Sequence, residues 1–255
     1  MKQIKNLIIL ENKILNNVYF ILKCTADDVL PEMKPGQFAS IKVENNPEVF
    51  LRRPFSIHDY DKKENTVSFL IKIVGKGTKE LSSLKAGERI SVMLPLGNGF
   101  DYNPNVKTLI IGGGCGIAPI YFLAKQLKSE NGDFDILIGG RSQCDLLCQE
   151  ELKLLSDSYC STEDGSFGEI GFVTQNSRMT QMISNYKKIH CCGPENMMKA
   201  IAKIAKDNNI ECEVSLENTM ACGFGVCLCC VTETVRGNEC VCTSGPVFNT
   251  KDLKW

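Results

Sequence analysis

Residues 107–119 read Lys107-Thr-Leu-Ile-Ile-Gly-Gly-Gly-Cys-Gly-Ile-Ala-Pro119. The β-prone run Thr108–Ile111 leads straight into a glycine turn with the spacing G-x-G-x-x-P over Gly114, Gly116 and Pro119. Glycines at such a turn let the backbone approach a pyrophosphate, and the helix that follows offers N–H groups and the positive end of its dipole. A tight structural turn is the plainer reading of three glycines, so the flanks decide. A helical run follows at Ile120–Lys128 and a further β run at Phe134–Ile138, as a nucleotide-binding βαβ unit requires.

Downstream the alternation continues. Glu150–Leu155 reads as helix, Ile189–Cys192 as strand and Glu195–Asp207 as helix, so a doubly wound parallel sheet is expected over residues 102–213. Asp135 and Arg141 flank the second strand, where either could touch a ribose or be a solvated charge. His190-Cys-Cys-Gly-Pro194 ends a strand and opens a helix. Cys192 therefore stands either near the ligand crevice or in the core. Thr162–Gly168 and Gly171–Thr174 read as turns. Upstream, residues 1–101 carry short β runs at Leu7–Leu10, Val18–Leu22, Phe38–Val43, Val67–Ile73 and Arg89–Leu94. Turn signals at Pro35-Gly36, Asn45-Asn46-Pro47 and Ala86-Gly87 separate them, which suggests an antiparallel barrel. Arg53-Pro54-Phe55-Ser56 breaks that pattern. Its Arg fork suits a phosphate and its Ser hydroxyl a heterocycle edge. Gly75-Lys76-Gly77-Thr78 offers a second phosphate nest.

The composition narrows the class. The 255 residues hold 29 basic and 30 acidic side chains for a net charge of -1, which argues against a uniformly basic nucleic-acid binder. The uncharged run Thr108–Ala124 contains the glycines and Pro119, which is wrong for a membrane span. Leu7–Leu10 is too short for a signal-peptide apolar region, so a cytoplasmic protein is expected. Fourteen cysteines are many, and nine of them lie in the last 65 residues. Clustered cysteines in a reducing compartment read first as metal ligands.

Within residues 214–255, Cys222, Cys227 and Cys230 have the spacing C-x4-C-x2-C, and Cys242 follows after eleven more residues. That is the plant-ferredoxin arrangement for a [2Fe–2S] cluster. Gly223 and Gly225 allow positive φ where side chains would collide with a cluster, and Val226 and Leu228 are expected to limit solvent access. A structural zinc on Cys227, Cys230, Cys240 and Cys242 is the competing reading. Cys229 and Cys240 both sit close enough in sequence to be confused with a true ligand. The segment is short and has little amphipathic pattern, so its fold is expected to depend on bound metal.

Barrel with R-P-F-S, then G-x-G-x-x-P, then C-G-P: in this order the motifs resemble the ferredoxin–NADP reductase superfamily of flavoproteins. The tail Cys222-Gly-Phe-Gly-Val-Cys227-Leu-Cys-Cys230 with Cys242-Thr-Ser-Gly-Pro-Val-Phe248 is similar to one branch, the electron-transfer subunits of class 1B dihydroorotate dehydrogenases. The resemblance covers essentially the whole chain. It implies FAD held by Arg53, Pro54, Phe55 and Ser56, with Leu70, Ile71 and Lys72 along a strand and Gly77 and Thr78 at its phosphates. It implies NAD on Gly114, Gly116 and Pro119 and the cluster on Cys222, Cys227, Cys230 and Cys242. The resemblance further implies an FMN-containing catalytic partner in a heterotetramer of two each, with electrons passing singly through the cluster to FAD and as a hydride to NAD⁺. Only two histidines occur, His58 and His190, and no Ser/His/Asp or paired-carboxylate constellation stands out, so no dihydroorotate base is expected here. Cys229, where the branch commonly has glycine, and Cys115 inside the glycine turn depart from the pattern. Related readings are a small flavin and iron–sulfur subunit of an NADH-dependent ferredoxin:NADP oxidoreductase or of a sulfhydrogenase, and a stand-alone diaphorase. A zinc-binding interaction protein is a reading of a different class.

Overall fold

A computed structural model describes residues 2–44 and 46–255; Asn45 of the expected Asn45-Asn46-Pro47 turn lies outside the described residues. The first sheet is built from β1 (Gln3–Ile14), β2 (Tyr19–Thr25), β3 (Phe38–Ile41), β4 (Arg53–Ser56), β5 (Asp59–Asp61), β6 (Thr66–Lys72) and, after the helix α1 (Lys76–Ser83), β7 (Arg89–Leu96). Its strand order is β4-β3-β7-β1-β2-β6-β5 and every pairing is antiparallel. Alternation places Leu7, Leu22, Ile41, Phe69 and Ile71 in one barrel core. Arg53–Ser56 does not interrupt this barrel: it is the edge strand β4, paired with β3 from Ile41↔Arg53 to Phe38↔Ser56. An edge is where a strand tolerates Pro54, whose missing N–H costs no ladder bond there.

The second sheet begins with β8 (Thr108–Gly113), α2 (Ile117–Ser129), β9 (Phe134–Gly140), α3 (Gln149–Lys153), β10 (Ser158–Thr162) and the two-residue β11 (Glu169–Ile170). After α4 (Ser177–Thr180) come β12 (Lys188–Cys192), α5 (Glu195–Asp207) and β13 (Glu211–Ser215). With β16 (Val247–Asn249) at its edge, the sheet has the order β11-β10-β9-β8-β12-β13-β16 and is parallel except at its last pair. α5 forms because Met198, Ile201 and Ala205 recur at helical spacing and bury on the sheet while its lysines stay outside.

The remaining elements are β14 (Val231–Thr234), β15 (Gly237–Cys240), α6 (Val241–Ser244) and β16 (Val247–Asn249). β14 and β15 form a separate hairpin, whereas β16 pairs antiparallel with β13, Val214↔Phe248. β13 runs across the 213/214 division, and Cys230, Val241 and Cys242 share a core with Leu109, Ile111 and Ile189 of the parallel sheet. The cysteine segment is thus bolted to the second sheet by one strand and a common core. Among the described residues no helix is long and apolar enough to cross a membrane.

Candidate functional site

Two clefts and a cysteine loop meet at the C-terminal edge of the parallel strands, where α/β sheets bind ligands. The first cleft, about 400 Å³, has the barrel on one side, with Pro54, Phe55 and Ser56 of β4, Leu70 and Lys72 of β6, and Thr78 of α1. The opposite wall is the segment Leu216–Met220 together with Cys115 of the glycine turn. β4 presents backbone and small polar groups because it is a sheet edge. Alternation along β6 turns Ile71 into the barrel core, and of this strand Leu70 and Lys72 line the cleft while Ile71 does not. Arg53 and Gly77 adjoin each other rather than the cavity: a Cβ at Gly77 would lie 3.4 Å from Arg53 Nε. Arg53 Nη1 donates to the Leu51 carbonyl at 2.7 Å, and the backbone N–H groups of Val74 and Gly75 donate to Thr78 Oγ1 at 2.9 and 3.2 Å. A cation beside the opening turn of a helix suits a phosphate.

The second cleft, about 490 Å³, is lined by Gly113 and Gly114 of the turn, by Gly139, Gly140 and Arg141 at the end of β9, and by Ser161 and Glu163 at the end of β10. Pro194, Asn196 and Met197 close it from α5, and the barrel contributes Tyr19 and Lys72. Of the three motif residues, Gly114 lines this cleft with φ +55, while Gly116 and Pro119 do not. Gly116 is packed against β12: a Cβ there would lie 2.1 Å from the Cys192 carbonyl oxygen. Pro119 is buried in the first turn of α2. Asp135 is elsewhere. It stands near the start of β9, at the opposite edge of the sheet, accepting a 2.5 Å hydrogen bond from the Tyr186 hydroxyl and pairing with Lys107 at 3.3 Å. Arg141 alone of that pair faces the cleft.

Lys72 lines both clefts. Its ammonium lies 5.5 Å from the Tyr19 ring centre and has no carboxylate partner among the described residues. Glu217 and Cys115, which sequence reasoning did not assign, flank the same junction. Burial raises the Glu217 carboxyl above its usual range, against the lowering effect of the Cys192 thiol beside it, Sγ to Oε1 3.9 Å. Cys192 Sγ also donates to the Ser215 carbonyl at 3.5 Å, and burial pushes its thiol well up. Cys192 is thus both in the core and beside the crevice. Nothing in the run Ser215-Leu-Glu-Asn-Thr-Met220 signals a cleft wall; only its position between β13 and the cysteine loop makes it one.

The cysteine loop supplies its own donors. Gly223 and Gly225 hold φ +78 and +91, and Leu228 also sits at positive φ. The turns aim the N–H groups of Phe224 and Cys227 at Cys222 Sγ, both at 3.5 Å. Burial alone would raise the Cys222 thiol, but these N–H groups outweigh it and bring it down to about 6. A thiolate is the form that binds metal. The Cys242 N–H donates to Cys230 Sγ at 3.4 Å, and burial with the neighbouring Cys230 pushes the Cys242 thiol up to about 12. Backbone N–H contacts thus link the four cysteines in two pairs, Cys222 with Cys227 and Cys230 with Cys242. Among the described residues no three cysteine sulfurs lie within 4.8 Å of one another. One tetrahedral zinc needs four sulfurs about 3.8 Å apart, from Zn–S bonds near 2.3 Å. Two pairs fit a two-iron cluster instead. Val226 and Leu228 do not shield this site as expected: they are 73% and 64% exposed, with Phe224 at 46%.

An antiparallel barrel beside a parallel dinucleotide sheet, with a cysteine loop following the segment that walls the barrel-side cleft, defines a flavin- and nicotinamide-dependent iron–sulfur reductase of the ferredoxin–NADP reductase superfamily. Three family models match: an oxidoreductase FAD-binding domain over residues 11–102, an oxidoreductase NAD-binding domain over 110–203, and the iron–sulfur cluster binding domain of dihydroorotate dehydrogenase B over 217–254. The electron transfer subunit of dihydroorotate dehydrogenase B (NAD(+)) from Clostridium acetobutylicum is 40% identical, with 87% of each chain covered. That of Listeria innocua is 36% identical over 99% of both. In fold, the chain matches an NADH-dependent reduced ferredoxin-NADP oxidoreductase structure with TM-score 0.87 and 28% identity, covering 98% of this chain and 90% of that one. The chain belongs to the dihydroorotate dehydrogenase B electron transfer subunit family.

Proposed function

We propose that this chain carries electrons from a dihydroorotate-oxidising, FMN-containing subunit to NAD⁺ in pyrimidine biosynthesis, using a [2Fe–2S] cluster and FAD. The observation that carries the reading is contiguity. Lys72 belongs to both clefts, and Leu216–Met220, the far wall of the first, runs directly into Cys222. A flavin supplies the exchange between one-electron cluster chemistry and two-electron nicotinamide chemistry, and the protein supplies position and charge.

Each residue then has a task. Arg53 with Gly77 and Thr78 at the start of α1 would hold the FAD phosphates, and Pro54, Phe55, Ser56 and Leu70 its flavin and ribityl side. Gly114 admits the NAD pyrophosphate. Gly116 and Pro119 act one step back, fixing the turn and helix that present it, and Lys72 offers the barrel's positive charge to both dinucleotides. Burial favours the protonated forms of the Glu217 carboxyl and the Cys192 thiol, which limits negative charge at the junction. Cys222, Cys227, Cys230 and Cys242 would bind the cluster as thiolates, each proton released on binding.

Phe224, Val226 and Leu228 form an apolar patch on the cysteine loop, suited to a catalytic subunit in a heterotetramer of two each. Burial there would dry the cluster, which the lone chain does not do. The chain would act in the cytoplasm. Test: the purified chain should reduce artificial acceptors with NADH yet turn over no dihydroorotate until the FMN subunit is added. Dihydroorotate oxidation by the chain alone would overturn the proposal. The likeness to the ferredoxin-NADP oxidoreductase structure favours a second reading, a sister reductase subunit, which predicts no orotate formation with any FMN partner.

A further inference from the structure

The dinucleotide cleft extends past the glycine turn to an end with no assigned task. The flavin cleft is walled by the segment after β13 and by the glycine turn after β8. A nicotinamide that meets the flavin must lie on that side. With its pyrophosphate at Gly114, the adenosine then runs the other way, over the ends of β9 and β10. β10 stands two strands from β8, about 10 Å at the usual strand spacing. Glu163 follows β10, and its N–H donates to the Gly140 carbonyl at 3.1 Å, which sets it beside Arg141 at the end of β9. The turn it opens is pinned. The Asp164 N–H donates to the Arg141 carbonyl at 3.1 Å, and the Gln143 N–H donates to Ser166 Oγ at 2.8 Å. Asp145 backs on the same strand end, since a Cβ at Gly140 would stand 2.8 Å from its own. Arg141, Asp145 and Glu163 all line the cleft, and none has an ion-pair partner among the described residues. Phe172 lines it too, with 59% of its surface exposed.

We propose that Glu163 selects NAD over NADP by accepting a hydrogen bond from the adenosine ribose, with Phe172 as the platform for the adenine ring. The inference rests on the NAD reading and deepens it. In sheets of this kind the selecting residue usually stands at the end of the second strand. An acid there accepts from the 2′-hydroxyl, and an arginine nearby takes the 2′-phosphate. Here the second strand, β9, ends in Arg141, which alone would favour NADP. Glu163, brought in from the third strand, reverses that choice. A 2′-phosphate would face two carboxylates and one guanidinium, a net repulsion, whereas a 2′-hydroxyl donates to a carboxylate. An exposed aromatic face on the cleft wall suits stacking by a purine.

The test is calorimetric titration of the oxidised, FAD-loaded full-length chain with NAD⁺ and with NADP⁺. The wild type should bind NAD⁺ at least about tenfold more tightly than NADP⁺. Glu163→Gln should weaken NAD⁺ binding at least about fivefold and narrow that ratio, and Glu163→Lys should reverse it. Phe172→Ala should weaken both dinucleotides at least about threefold and leave the ratio alone. Glu163 and Phe172 are exposed at the rim, so these variants should keep the wild-type flavin absorbance and melting temperature. An unchanged ratio in Glu163→Gln would overturn the proposal. So would a wild type that binds both dinucleotides alike, or one that prefers NADP⁺ and loses the preference in Arg141→Ala. Undiminished binding by Phe172→Ala would overturn the platform. A wild type that carries FAD but binds neither dinucleotide would overturn the NAD reading itself.

Discussion

A methyl group at residue 116 has nowhere to go, since the Cys192 carbonyl oxygen would stand 2.1 Å from it. Gly116→Ala must push α2 away from β12, and a loss of at least about 2 kcal/mol is expected by urea unfolding, with the dinucleotide cleft distorted. His58 makes a different prediction. It is fully buried, stacked on Tyr121 with centroids 4.5 Å apart, with Nε2 4.0 Å from Cys148 Sγ. Burial, against the raising effect of Asp59, lowers its pKa from 6.5 to about 4. The unfolded chain therefore binds the proton first, and stability falls as pH drops below 6.5 towards about 4. This one residue should remove about 2 kcal/mol between pH 7 and pH 5, at 1.36 kcal/mol per unit. His58→Phe should flatten that part of the pH profile; an unchanged slope would show that His58 does not cause it. Glu217 has the opposite sign. Its raised pKa makes the folded state hold the proton, so stability falls as pH rises above the usual 4.5. Glu217→Gln should lessen the decline in melting temperature between pH 5 and pH 8. Neither prediction was legible in the sequence, which shows two histidines and a glutamate but not what surrounds them.

At the scale of elements, legibility followed pattern. α5 was read to its end residues because its apolar positions repeat at helical spacing, and β8 because an apolar run meets glycines. β10 and β13 escaped because their sequences, Ser-Tyr-Cys-Ser-Thr and Glu-Cys-Glu-Val-Ser, mix polar residues into buried strands. Glu213 is tolerated there since it accepts the Asp101 N–H at 3.0 Å and stands 3.1 Å from His190 Nδ1. β4 escaped because Arg-Pro-Phe-Ser argues against a central strand, and it is an edge strand instead. The cysteine loop was read as a cluster site from spacing alone, but the outward aim of Val226 and Leu228 depends on backbone turns that spacing does not encode. Phe224→Ser/Val226→Ser/Leu228→Ser should leave the chain's melting temperature within about 1 °C, since exposed side chains contribute little to folding. The same variant should weaken binding to an FMN subunit by at least about tenfold in a calorimetric titration. Unweakened binding would move the partner to another face.

The whole molecule is one arrangement of three sites around a shared junction. The barrel and the parallel sheet are joined by Lys125 Nζ to Asp59 at 2.8 Å, and by Tyr19 and Leu70, which pack into the core of α2. The cysteine segment joins through β16. The order of motifs along the chain was enough to foresee barrel, sheet and cluster loop, because each motif serves a fixed place in that order. What it did not foresee is that Lys72 would face two clefts, or that the linker at Leu216–Met220 would be a wall of the first, since both follow from how the units pack. In the proposed function, one chain holds the complete path from cluster to nicotinamide. Anaerobic titration of the purified chain with dithionite, followed in the visible spectrum, is the measurement to make. About two irons, two sulfides and one FAD per chain are expected, with about three electrons taken up, two by the flavin and one by the cluster. NADH should bleach the flavin in the same sample. Folded protein carrying zinc, with neither iron nor flavin and no response to NADH, would contradict it.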